Sequence, residues 1–207
     1  MQRKTTWYPV LVAASIGLAA LSSCKGGRNA ETGTPESGAA AGTPTDTAAS
    51  PAAAGSLSDA NIVALLDEAN AADSSAGAYA VGKATDPEVK AFAKLMIGEH
   101  HALRLQGQQL AQRLNVTPEA PADDPLKPAA ASEMAALKAA PKGAQFDRIY
   151  IDQEVAAHKL VLDVAEKGHA AAQNEELKKL IEQAKPVIEK HLDRAEEIQK
   201  KLSKPSA

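Results

Sequence analysis

Apolar residues recur at steps of three and four along four long stretches of the 207-residue chain, and no stretch alternates apolar and polar residues over the length of a strand. Ser58 or Asp59 is a good N-cap for a first helix running to about Lys83, with Ile62, Leu65, Leu66, Ala69, Ala76 and Ala80 on its stripe. Thr85-Asp86-Pro87-Glu88 opens a second helix to about Asn115, striped by Val89, Phe92, Ala93, Met96, Leu103, Leu110 and Leu114. A third spans about Ala144 to Lys167, ended by Gly168. A fourth spans about Asn174 to Leu202, with Leu177, Leu180, Ile181, Ala184, Ile188, Ala195 and Ile198 as its apolar face and Pro186 expected to kink it. Between the second and third, residues 116 to 128 are rich in Pro and Asp, and a short apolar helix follows at about Ala129 to Ala139. That connection is long enough to travel the length of a bundle. The pattern predicts an all-α protein, an antiparallel four-helix bundle with a short extra helix between helices two and three.

The stripes are interrupted by polar residues. Asp73 falls on the first, His100 on the second with Glu99 at its edge, and His191 on the fourth. In the third, Asp147, Tyr150, Glu154 and His158 follow one another at steps of three, four and four, which lines four polar groups along one face. Counting residues from the turns at 1.5 Å each puts Asp73 level with His100, and His100 and His158 at similar depth. The same count sets His191 closest in height to Glu154, with His158 offset by roughly 10 Å. A core holding these groups costs several kcal/mol unless they pair or bind something. Two arrangements are open: a buried hydrogen-bond network that fixes helix register, or one transition-metal ion, iron, copper or zinc, on a set drawn from Asp73, Glu99, His100, Glu154, His158 and His191. Asp147 and Tyr150 would stand behind such a set and orient it.

Composition adds the setting. Arg3 and Lys4 precede an apolar run from Trp7 to Leu21, too short for a membrane-spanning helix and suited to a secretory signal peptide over residues 1–23. The run ends Leu21-Ser22-Ser23-Cys24, which resembles a bacterial lipobox and makes Cys24 the expected lipidated N-terminus. Lys25 after it leans toward the outer membrane. Cys24 is also the one cysteine, so an intramolecular disulfide and a thiolate cluster are both excluded. Residues 24–56 contain no large apolar side chain and read as a disordered tether, leaving 57–203 as the bundle domain and 204–207 as a tail. Removing Arg3 and Lys4 takes the formal charge from −3 to −5, and no basic block is present to track a phosphate backbone. The expected partner is a membrane, through the anchor, on the periplasmic side of the cell envelope; nucleic acid is not one.

The stretches ATDPEVKAFAKLMIGEHHAL, FDRIYIDQEVAAHKLVLDVAEKG and LKKLIEQAKPVIEKHL resemble the bacterial domain-of-unknown-function family 4142, exported ferritin-like four-helix proteins. The resemblance covers about Leu57 to Leu202. It implies a ferritin-like bundle and matches the family's pattern at Glu99 and His100, at Asp147, Tyr150 and His158, and at Pro186 and His191, with Asp73 where the family usually has Glu. It departs from the di-iron signature of ferritins, because the residues three before His100 and His191 are Ile97 and Ile188. No nucleophile with a base at motif spacing and no phosphate-binding glycine loop is present. The reading is therefore a non-enzymatic, lipid-anchored envelope protein serving stress tolerance or sequestration. A ferritin-like metal-dependent oxidoreductase and an envelope interaction module are the alternatives.

Overall fold

The computed structural model describes residues 57–204, so the expected signal peptide, Cys24 and the whole of the expected tether lie outside the described residues. Five helices follow one another: α1 (Asp59–Lys83), α2 (Pro87–Leu114), α3 (Leu126–Ala139), α4 (Ala144–Ala171) and α5 (Glu175–Leu202). Their starts follow from capping chemistry. Ser58 and Asn61 form a capping box on α1, with Ser58 Oγ accepting from the Asn61 N–H at 3.1 Å and Asn61 Oδ1 accepting from the Ser58 N–H at 3.0 Å. Asp86 accepts from the Glu88 and Val89 N–H groups at 2.7 and 3.1 Å, and Pro87 takes the first helical position, where no donor is needed. α2 ends at Asn115, whose left-handed φ of 53° is tolerated by that side chain.

Two boundaries differ from the sequence reading. α3 begins at Leu126, before Pro128, because Asp124 Oδ1 accepts from the Leu126 and Lys127 N–H groups at 2.8 and 3.3 Å and Pro128 falls in the first turn. α4 runs through Gly168 to Ala171. Gly168 is there for contact, since a Cβ at that position would sit 3.3 Å from Ile62 Cγ2. Likewise α5 continues through Pro186.

α1 with α2, and α4 with α5, form antiparallel hairpins. The connection after α2 starts beside the N-terminal end of α1, where the Glu119 N–H donates to Ala60 O at 3.1 Å. It finishes at the other end of α1, where Lys83 Nζ donates to Leu137 O at 3.1 Å. It is thus a lengthwise crossover, and α2 and α4 start from the same end. Three apolar clusters fill the interior. One gathers Phe92, Met96, Phe146 and Tyr150 toward the α1–α2 turn, and two others, around Ile62, Leu110 and Ile181 and around Leu65, Val161 and Ile188, fill the remainder. Between them lies a layer of buried polar side chains. Among the described residues no helix is long and apolar enough to cross a membrane.

Asp147 belongs to this framework and not to the polar layer. Its carboxylate accepts from the Thr85 N–H at 2.9 Å, the Asp86 N–H at 2.9 Å and the Thr85 hydroxyl at 2.6 Å, pinning the start of α4 to the α1–α2 turn. The expectation that it stands behind a metal set is corrected: it lies in the first turn of α4, two helical turns from Glu154. Asp147→Ala strands those donors at a site 1% exposed and is expected to cost about 2–4 kcal/mol in urea unfolding, with metal binding unchanged.

Candidate metal centre

Three helices each deliver one imidazole to the polar layer: His100 from α2, His158 from α4 and His191 from α5, all at most 1% exposed. Ring centroids are 5.5 Å apart for His100–His158, 5.1 Å for His100–His191 and 5.5 Å for His158–His191. One ring nitrogen of each lies within 4.8 Å of those of the other two.

The partners on the outside of this trio fix its protons. Asn70 Nδ2 donates to Leu66 O at 2.6 Å, which turns Asn70 Oδ1 toward His100 Nδ1 at 3.0 Å. An amide oxygen only accepts, so the His100 proton sits on Nδ1. His158 Nδ1 meets the Glu154 carbonyl oxygen at 2.9 Å, and the same logic places its proton there. His191 Nε2 donates to Glu99 Oε2 at 2.7 Å. The remaining nitrogens, His100 Nε2, His158 Nε2 and His191 Nδ1, are buried without a hydrogen-bond partner and, by elimination, carry bare lone pairs.

Electrostatics keeps the trio neutral. Burial, then the charges of His158 and His191, lower His100 to about 3; burial leads again for His158, lowered to about 4. Burial also lowers His191, against the pull of Glu99. Neutral imidazoles tied at the outer nitrogen and free at the other are the state in which histidine binds a metal.

The carboxyls adjoin the trio from another side. Asp73 Oδ2 is 3.4 Å from His100 Nδ1, and Glu154 Oε2 is 3.5 Å from His158 Nδ1. Burial, followed by charge repulsion among neighbouring acids, pushes both carboxyls well above the usual range. Tyr150 faces Glu154, and burial together with that carboxyl raises its hydroxyl, which closes no complete hydrogen bond. Of the residues singled out by sequence, His100, His158 and His191 form one set of ligand atoms, and Asp73, Glu154 and His158 another. Glu99 belongs to neither; it is an outer partner, its side chain 37% exposed.

The expected height of His191 is also corrected. His158 reaches it, because side chains lean toward the N-terminus of their helix: in the antiparallel α4–α5 pair the two imidazoles lean toward each other and Glu154 leans away. Sequence reasoning missed Asn70, one turn before Asp73, and Glu133 on α3, which is 5% exposed.

The sequence model described as domain of unknown function (DUF4142) matches residues 43–198. The chain belongs to that family. Its bundle is similar to a solved structure, CopM in the Cu(II)-bound form, with a TM-score of 0.55 at 15% identity, covering 70% of this chain and 98% of that one. The likeness shows that this DUF4142 protein shares that fold. Among curated proteins, none matches the sequence.

Proposed function

We propose that this DUF4142 protein binds one transition-metal ion on His100, His158 and His191, and holds it in sequestration at the periplasmic face of the cell envelope, where the lipidated Cys24 would anchor it. The observation that carries the reading is the set of three buried imidazole nitrogens without partners, each on a ring whose other nitrogen donates outward. A hydrogen-bond network fixing helix register would pair those nitrogens with each other or with donors. Here three unpartnered nitrogens sit on rings whose centroids are 5.1 to 5.5 Å apart, and a cation among them would satisfy lone pairs that nothing else does.

Three imidazoles suit zinc, copper or iron. The copper named for CopM makes Cu(II) the first ion to test. Ring nitrogens within 4.8 Å of one another need displacements on the order of an ångström to reach the roughly 3.3 Å spacing of donors on a tetrahedral ion. Binding is the function proposed.

Metal analysis of protein purified without a polyhistidine tag is expected to give one Cu(II) or Zn(II) per chain after loading and dialysis. Saturation at a thousand times Kd should stabilise the fold by about 4 kcal/mol, reversed by a chelator. Protein that stays metal-free after loading, with an unshifted melting curve, would rule the proposal out. For the anchor, Cys24→Ala should move the protein from the membrane to the soluble fraction, and retention on membranes would count against lipidation.

A further inference from the structure

Beside the histidines lies a cluster of oxygen donors that the tris-histidine site does not use. Asp73 on α1 and Glu154 on α4 are 2% and 0% exposed, and each brings a carboxyl oxygen within 4.8 Å of the other's and of a His158 nitrogen. α3 adds Glu133, which lines, with Asp73, a cavity of about 250 Å³ between α1, α3 and α4. The walls are otherwise largely apolar, with Ala69, Ala157, Leu160 and Val161 among them.

The acids alone would mean little, since carboxyls cluster for many reasons. What distinguishes these is that Asp73 Oδ2, Glu133 Oε1 and both oxygens of Glu154 are buried without any hydrogen-bond partner. Among the described residues no Lys or Arg pairs with any of the three. Several unmatched carboxyl oxygens in an apolar interior are costly unless a cation or ordered water compensates them.

We propose that Asp73 and Glu154 hold a second cation, a hard divalent ion such as Mn(II) that keeps part of its water shell in the adjoining cavity, with Glu133 accepting hydrogen bonds from that water across the cavity. Oxygen donors select such ions, and hydrated ones need the space that an all-protein cage lacks. Asp73 and Glu154 approach His100 and His158 at their Nδ1 edges, whereas the unpartnered nitrogens of those two rings are Nε2, so the two donor sets are distinct. The inference uses neither His100 nor His191 and stands apart from the tris-histidine proposal. The third acid comes from the crossover helix, which gives that segment a role beyond spanning the bundle.

The test is titration of the full-length protein with Mn(II), followed by the loss of the free-ion electron paramagnetic resonance signal. The wild type should bind one Mn(II), and the His100→Ala/His191→Ala variant should bind it as well. The Asp73→Asn/Glu133→Gln variant should bind at least about tenfold more weakly while keeping the wild-type circular dichroism spectrum. If that double variant does not fold, the isosteric Glu133→Gln alone decides, with the same direction. A free-ion signal undiminished by the wild type overturns the proposal. So does binding that the acid variants leave unchanged, which would assign the Mn(II) to exposed carboxylates.

Discussion

His191→Ala is expected to weaken Cu(II) or Zn(II) binding by more than about a hundredfold, since it removes the one ligand that α5 contributes to the centre. His191 also ties the second hairpin to His100 on the first. Glu99→Gln should cost ten- to a hundredfold, by a different route. Glutamine offers a neutral acceptor in place of the carboxylate at 2.7 Å, so the His191 proton is held less firmly on Nε2 and competes for Nδ1, the nitrogen otherwise without a partner. Titrations of wild type, His191→Ala and Glu99→Gln, each checked for an unchanged circular dichroism spectrum, order the three affinities. Equal affinity for all three would place the metal elsewhere. The pH dependence is equally diagnostic. His100 and His158, lowered to about 3 and about 4, carry no proton to displace, so between pH 8 and pH 5 these two rings should add no pH dependence to the affinity. An exposed tris-imidazole site would lose affinity steeply below about pH 6.5. The folding linkage has the matching sign: both pKa values lie below that of a free imidazole, so their stabilising contribution is whole above about pH 6.5 and falls as pH drops toward the folded values.

The bundle was legible because its helices carry apolar stripes with caps at their starts, and the polar layer because Asp73, His100, Glu154, His158 and His191 occupy stripe positions where an apolar residue belongs. Depth was less legible. Residue counting treats a side chain as if it stood level with its Cα, and the lean of imidazoles toward each helix N-terminus was enough to exchange His158 for Glu154 as the neighbour of His191. Asp147 shares a stripe with Tyr150 and Glu154, yet its place in the first turn of α4 puts it at the bundle end, where it serves the adjacent turn. Glu133 was missed for a local reason. Starting α3 at Ala129 left Leu126 outside the helix, and only with Leu126 and Leu137, all three buried, does Glu133 read as a polar interruption of an apolar face. Asn70 carries no such signal, because an Asn in a helix is ordinary until a buried histidine is found beside it.

Glu133→Gln is expected to stabilise the metal-free protein by about 3 kcal/mol at pH 8 and by little at pH 4. Burial raises the Glu133 carboxyl from 4.5 to about 7, so the folded state holds this proton more tightly than the unfolded chain. A raised folded pKa contributes stability that is whole below about pH 4.5 and is lost as pH rises through 7; at 1.36 kcal/mol per unit the loss is roughly 3 kcal/mol once both states have released the proton. Glutamine does not titrate, keeps the shape and carries none of that loss. Urea unfolding of both proteins at pH 4, 6 and 8, with chelator present, should show the difference opening with pH; a difference of one size at all three values would mean that the carboxyl is not held in its neutral form. With Mn(II) in place of chelator the order at pH 8 should reverse, because a hydrated cation beside it favours the ionised wild-type carboxyl and is held less tightly by the variant. An acid that weakens the empty bundle at neutral pH and strengthens the filled one is what a binding site retains at the expense of stability, and a residue that served packing alone would show the first effect without the second.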